Sequence, residues 1–150
     1  MFRYLRTIGC ELSLAEEIAQ EAFLRLHRAL RDGLQVQDVR AWVFRVARNL
    51  YIDSRREHQR YRVAPSDDGE SNSERGDLTP DPEQQVLERE RLRLIEEEVL
   101  RLPELQRECM HLKAQGLRYH EIAVALDISM TTAVDCVRRA VKRLGRRITF

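Results

Sequence analysis

The stretch Tyr119–Arg147, YHEIAVALDISMTTAVDCVRRAVKRLGRR, admits few folds. Its apolar residues recur at helical spacing on both sides of one short interruption. Ile122, Ala123 and Leu126 line a face of the first segment, and Ala133, Cys136, Val137 and Ala140 line a face of the second. Asp127 stands where the chain must turn, at a position that calls for a left-handed backbone; Asp tolerates this better than most residues, and Gly better still. Ile128 plugs the corner. Ser129 is placed to cap the second helix by accepting one of its orphan backbone N–H groups. Small Ala123 lets the two helices cross closely. The pattern is a helix-turn-helix.

A basic run completes it. Arg138, Arg139, Lys142, Arg143, Arg146 and Arg147 recur at i, i+1, i+4, i+5, i+8 and i+9, which keeps them on one side of a helix. Such a run alone is a solvated helix end, with cations where the dipole favours them. Behind a helix-turn-helix it also suits a phosphate backbone, with the second helix in the major groove of DNA.

The 150 residues suit one compact domain or two small ones. No apolar run is long enough for a bilayer, so membrane insertion is not expected. The opening MFRYLRTIGCELS lacks the apolar core of a signal peptide. Cys10, Cys109 and Cys136 are odd in number and lack metal-ligand spacing, as expected of free thiols in a reducing cytoplasm. The net charge of +1 hides an uneven distribution. Residues 1–63 carry twelve arginines against eight carboxylates, residues 64–100 four against twelve, and residues 101–150 ten basic groups against five. Two basic modules flank an acidic middle.

In chain order, residues 1–9 read as a helix sharing Phe2, Leu5 and Ile8 on one face, ended by Gly9. Ser13 and Glu16 form a capping-box pattern for the next helix, whose stripe is Ala15, Ile18, Ala22, Leu26 and Ala29. Its other side offers Glu16, Glu17, Gln20, Glu21, Leu24 and Arg28, which suits either a solvated face or a protein contact. Gly33 breaks the pattern. A long helix follows from about Val39 to Arg60, with Val43, Val46, Ala47 and Leu50 inward. Trp42, Phe44 and Tyr51 lie among arginines. Aromatics and guanidinium groups together suit single-stranded nucleic acid, where bases stack and phosphates pair; ordinary core aromatics give the same pattern. Residues 64–82 have almost nothing apolar to bury and read as a linker, with a reach of about 60 Å if fully extended. Asp81–Pro82 opens another helix, with Val86, Leu87, Leu94, Ile95, Val99 and Leu100 as its apolar positions. Leu102–Pro103 interrupts it, and a helix from Glu104 to Ala114 points Leu105, Cys109 and Leu112 inward. The chain is therefore expected to be all-α, with helical domains at 1–63 and 83–150 joined by a flexible acidic linker at 64–82.

Two stretches resemble a known family. Ala15–Leu30 with Val39–Arg60, above all RAWVFRVARNLYID, resembles region two of bacterial RNA polymerase sigma factors of the extracytoplasmic-function subfamily. Leu100–Leu144 resembles their region four. The resemblance implies a factor that binds core RNA polymerase, recognises promoter DNA and helps to open it. It assigns Glu16, Glu17, Gln20, Glu21 and Leu24 to the clamp helices of the polymerase's largest subunit. It assigns Arg40, Trp42, Arg45, Arg48, Asn49, Asp53, Arg55 and Arg56 to recognition and opening of the minus-ten element, where a base must leave the stack at a cost of a few kcal/mol. The loop Asp32–Asp38 matches the one that selects that base. Arg118, Tyr119, Ser129, Met130, Thr131, Thr132, Asp135, Arg138, Arg139, Lys142 and Arg143 are implied to meet the minus-thirty-five duplex, while the same module engages the polymerase flap. An anti-sigma protein that covers the polymerase-binding faces is implied as a further partner.

The chain departs from the family in three places. It begins inside the first helix, so either a truncated or misassigned start or a reduced first module is expected. Relatives commonly carry basic residues where this chain has Val134 and Cys136, and Asp135 adds a negative charge; a missing bidentate pair removes about 1–3 kcal/mol of base discrimination. Asp127 replaces a frequent Gly. A sigma-like adaptor that reads promoters poorly is thus a second reading, and a free-standing helix-turn-helix regulator a third, which has no use for a strand-opening module. No enzymatic activity is expected. His27, His58, His111 and His120 are scattered, and Cys109 with His111 lacks a second pair to complete a zinc site. No catalytic set, cofactor or metal is implied.

Overall fold

Two glycines divide the first half of the chain into three helices. Gly9, at φ 91°, reverses the chain after α1 (Phe2–Thr7), and Gly33, at φ 81°, ends the run of α2 (Leu12–Arg31). α3 (Val39–Tyr61) follows. The computed structural model describes residues 1–61 and 82–147. All its regular structure is helical, with α4 (Pro82–Leu100), α5 (Glu104–Ala114), α6 (Tyr119–Leu126) and α7 (Met130–Arg147) completing the order. The linker expected over residues 64–82 lies, apart from Pro82, outside the described residues.

The start of α2 differs from the capping-box expectation. Glu11 is the N-cap, without a side-chain cap bond, and Ser13 lies within the first turn. Cys10 is the reason. It is 2% exposed, and its N–H bonds Leu5 O at 2.9 Å, so the chain leaves the core early enough for helical bonding to begin at Glu11 O. α3 has a better cap. Asp38 Oδ1 accepts the Ala41 N–H at 3.1 Å.

The turn of the helix-turn-helix forms as its residues dictate. Asp127 adopts φ 55° and ψ 49°, the left-handed conformation. The Ile128 N–H then reaches back to Ala123 O at 3.0 Å, closing the helix end in a Schellman-type bond. Ser129 Oγ accepts the Thr132 N–H at 3.0 Å and caps α7. α7 buries Ala133, Val137, Ala140 and Leu144 on one side, while Cys136 is half-buried beside them.

One apolar cluster runs through both halves. It joins Tyr4, Leu5 and Ile8 of α1, Ala15, Ile18 and Ala22 of α2, and Val43, Phe44, Ala47 and Tyr51 of α3 to residues of α5, α6 and α7, including Leu112, Ile122, Leu126, Ala133 and Val137. α3 lies along α6, and α1 touches α5. Leu102, Ala140 and Leu144 form a smaller cluster, with Val99 and Met110 against it. α4 departs from its sequence reading. Val86, Leu87, Leu94 and Leu100 are all more than half exposed, because this helix touches the rest of the described chain mainly through α7.

Two expectations follow for stability. Leu112 has no exposure, so Leu112→Ala should destabilise the fold by about 2–5 kcal/mol in urea denaturation, from lost transfer energy and the cavity left behind. His111 of α5 faces α1, with Nδ1 3.1 Å from Thr7 Oγ1. Burial, and then the positive charge of Arg3, lower its pKa to about 4. The folded chain holds it neutral, and the unfolded chain takes up its proton first as pH falls through about 6.5. Stability should therefore be full above pH 7, fall by roughly 1–3 kcal/mol between about pH 6.5 and 4, and lose nothing further from this group below that; the lower figure reflects its partial exposure. In His111→Gln this part of the pH dependence should vanish from denaturation curves collected across that range.

Candidate nucleic-acid interface

α3 carries the first set of candidate residues. Its inward side settles the question of the aromatics in part. Phe44 and Tyr51 are both 7% exposed. Phe44 meets Tyr4 edge-on at 5.4 Å, and the Tyr51 hydroxyl donates to Ile8 O at 3.1 Å. These two are core residues. Trp42 is half-buried, packed against the same core.

The arginines of α3 are not all turned to open solvent. Arg48 is half-buried, and its Nε donates to Glu108 Oε2 at 2.8 Å. Glu108, at 3% exposure, also accepts the Tyr4 hydroxyl at 2.7 Å. Burial, reinforced by the neighbouring carboxylate, pushes the Tyr4 phenol far above its usual range, so it remains a donor. Arg40 Nη2 donates to Gln115 O at 2.7 Å. Arg45 pairs with Asp127 at 3.3 Å, and Arg55 with Glu104 at 3.8 Å. The Arg55 guanidinium also lies 5.8 Å from the centre of the Tyr51 ring. Asn49, Asp53 and Arg56 are exposed. Sequence reasoning placed these groups on one helix but missed their partners, which come from distant elements of the chain and leave no local signal. Asp38 was also missed as a cap, although an Asp just before the first helical residue is a readable sign.

α6 and α7 carry the second set. Arg118 begins α6; its N–H donates to Glu121 Oε2, which ties down the first turn. Tyr119 is half-buried, with Lys113 Nζ 4.3 Å from its ring centre. Along α7, Met130, Thr131, Arg138, Arg139, Lys142 and Arg143 are exposed, and Thr132 and Asp135 are half-buried. Thr132, Asp135, Cys136 and Arg139 line a shallow groove. Asp135 does more than add a negative charge. It holds Arg138 at 2.7 Å, one turn along the helix. Arg147 turns back to Glu98 of α4 at 3.3 Å.

The third set lies on α2. Glu16, Glu17, Gln20 and Leu24 are exposed. Glu21 is half-buried and pairs with Arg25 at 2.7 Å, a hydrogen bond that lowers its pKa. Phe23, 56% exposed, stands beside Leu24 and enlarges the apolar part of this face. Its position off the Ala15–Ile18–Ala22 stripe was the signal for it. No described helix is long and apolar enough to cross a membrane.

Comparison with known proteins shows what the chain is similar to. Residues 1–61 match the model for sigma-70 region 2. The extracytoplasmic-function sigma factor SigM of Bacillus subtilis is 35% identical over 68 residues, 45% of this chain and 40% of SigM. SigL of Mycobacterium tuberculosis is 33% identical over 90 residues, 59% of this chain and 50% of SigL. The sigma factor SigZ of B. subtilis is 26% identical over 133 residues, 88% of this chain and 71% of SigZ. The matches thus span half or less of SigM and SigL. In three dimensions, the sigma factor RpoE of Bartonella quintana, solved in complex with the anti-sigma factor NepR, covers 98% of this chain with a TM-score of 0.68 at 18% identity. That likeness establishes the fold. Residues 1–61 are thus similar to sigma-70 region 2, and the relatives of 33–35% identity are sigma factors of the extracytoplasmic-function group.

Proposed function

We propose that this protein is a promoter-specificity factor that binds core RNA polymerase, recognises promoter DNA and helps to open it. The observation that carries this reading is the pairing of a sigma region 2 segment, residues 1–61, with a capped helix-turn-helix whose second helix exposes a basic side. Residues 1–63 form the strand-opening module and residues 83–150 the duplex-reading module. The linker 64–82 lets them engage one promoter together. Polymerase makes the phosphodiester bonds; this chain contributes contacts and no catalytic chemistry of its own, and works in the cytoplasm.

The roles divide by chemistry. On α3, Trp42 offers a ring for an unstacked base, Asn49 a base-edge partner, and Arg40, Arg45, Arg48, Arg55 and Arg56 charges for phosphates. Asp53 closes the set. On α7, Arg138, Arg139, Lys142 and Arg143 run along the duplex backbone, and Met130, Thr131 and Thr132 approach the bases at the helix start. Arg118 and Tyr119 flank the groove from α6. Glu16, Glu17, Gln20, Glu21 and Leu24 dock on the clamp helices, with the second module on the flap. An anti-sigma protein covers these faces in the inactive state; the sigma factor RpoE of B. quintana supports this by the NepR protein bound to it.

An adaptor that binds polymerase but reads promoters weakly is the second reading. Asp135 favours it, because its carboxylate occupies Arg138 instead of leaving it free to read guanine. Reconstituted transcription on a genomic promoter library separates the two. Discrete start sites sharing two upstream motifs are expected of the specificity factor, and stable polymerase binding without discrete starts would leave the adaptor.

Two sets of variants probe the assigned faces. Arg138→Ala with Arg139→Ala should weaken duplex binding and flatten its salt dependence by roughly 0.9 in log–log slope for each phosphate no longer neutralised. Unchanged titrations across salt would rule out that side of α7. Gln20→Ala with Glu21→Ala should abolish co-elution with core polymerase; an intact complex would refute the α2 docking face.

A further inference from the structure

Two of the three cysteines meet. Cys109 lies on the inner side of α5 with no exposure, and Cys136 lies on α7, half-buried at the edge of the same apolar cluster. α5 and α7 pack along one another, and across that contact the two thiols are hydrogen-bond partners. Their access differs. Cys136 is reached from outside through the shallow groove that it lines with Thr132, Asp135 and Arg139, whereas Cys109 is closed off from solvent. Cys10, the third, is buried in the turn between α1 and α2. Among the described residues no three His, Cys, Asp or Glu side chains are grouped to hold a metal ion, so the pair reads as thiol chemistry. We propose that Cys136 and Cys109 are a peroxide-sensitive pair: oxidation joins them as a disulfide, draws α7 onto α5 and lowers the affinity of α7 for duplex DNA. The last part rests on the reading of α7 as the duplex-reading helix.

The steps balance with a hydroperoxide as the oxidant. The Cys136 sulfur attacks one of its oxygens; the O–O bond breaks, the oxygen stays on sulfur as a sulfenic acid, and the thiol proton leaves on the departing water or alcohol. Burial, reinforced by the Cys136 thiol, pushes the pKa of Cys109 up to about 12, so Cys109 stays protonated at neutral pH and does not react first. It is the resolving thiol. Its sulfur bonds to that of Cys136, the S–O bond breaks, and its proton leaves with the hydroxyl as water. The two sulfurs must come inside their non-bonded contact distance, and disulfide geometry leaves little choice of path. α7 therefore moves towards α5 at Cys136 and carries Thr132, Asp135 and Arg139 with it. Hydrogen bonds to base edges weaken steeply when distance and angle change in this way. Where thiols are kept reduced, the disulfide lasts only as long as the oxidant, which suits a reversible signal.

The test uses the full chain and a fluorescent duplex selected from a random pool by the reduced protein. Hydrogen peroxide should remove the mass of two hydrogens, and trypsin should then release Glu108–Lys113 joined to Tyr119–Arg138, with Cys10 still open to alkylation after unfolding. Duplex affinity, read by anisotropy, should fall roughly tenfold, about the effect of one lost base contact, and return with dithiothreitol. Cys136→Ser and Cys109→Ala, each compared with itself before and after peroxide, should show no fall. Absence of the joined peptide, or two oxygens added to Cys136 in its place, overturns the pair. A disulfide that leaves affinity unchanged overturns the coupling to α7, and so does a fall that persists in both variants. If the reduced chain selects no duplex, the reading of α7 fails and takes the coupling with it, while the peptide map still decides the thiol pair. Should Cys109→Ala lose helix content by circular dichroism, Cys136→Ser, changed at a half-buried position, decides alone.

Discussion

The buried carboxylate of Glu108 is the constraint on which the arrangement of the chain depends. A charge withdrawn from water must be compensated where it sits, or it costs several kcal/mol. Here the compensation comes from two elements distant in sequence, Tyr4 of α1 and Arg48 of α3. Neither partner is free to drift. Tyr4 has no exposure and is braced by the Phe44 ring, and Arg48 lies on the same helix as Phe44. Removing any one of the three leaves the others with an unmet requirement, so the set fixes how the halves meet more sharply than apolar contact alone can. Apolar contact tolerates sliding; a carboxylate that must meet two donors at once does not.

Around that point the packing relies on small residues. Ala15, Ala22, Ala41, Ala47, Ala133 and Ala140 are buried with essentially no exposure. Alanine lets helices approach closely and costs little side-chain entropy on burial. α7 gains from this. With Ala133, Val137, Ala140 and Leu144 seated inward, its charged side is presented on a firm base. α4 is the exception, because it is attached through Val99 and the Glu98–Arg147 pair while much of its apolar surface faces outward.

The sequence disclosed the helices well, since their signals are local. Periodicity found every described helix, and the turn chemistry at Asp127 and Ser129 was readable residue by residue. It was less reliable where tertiary packing overrode a local rule. Ser13 has the neighbours of a capping residue, yet burial of Cys10 starts the helix at Leu12. The apolar positions of α4 follow a helical period, but periodicity cannot say whether anything lies opposite. The candidate interface was legible as a set of side chains on α3, because arginines beside aromatics stand out. What those arginines touch was not. Their partners lie across the fold, and no local pattern encodes that Arg45 will meet Asp127. The aromatics show the same limit: Phe44 and Tyr51 turn into the core, and only the geometry separates them from a stacking platform.

The carboxylates facing α3 have a consequence for selectivity. Groups tethered on the same chain compete at an effective concentration on the order of millimolar, whatever the concentration of the protein. Duplex DNA of arbitrary sequence binds DNA-binding proteins with dissociation constants of about 10⁻⁴ to 10⁻⁶ M. Against an internal rival of that strength, weak encounters gain little, whereas a ligand held in place by a second contact elsewhere can still win. On the proposed reading of α3 as a nucleic-acid face, Asp127, Glu104 and Glu108 would set a threshold, a filter by which a chain rich in arginine could pass along a genome without being sequestered by it.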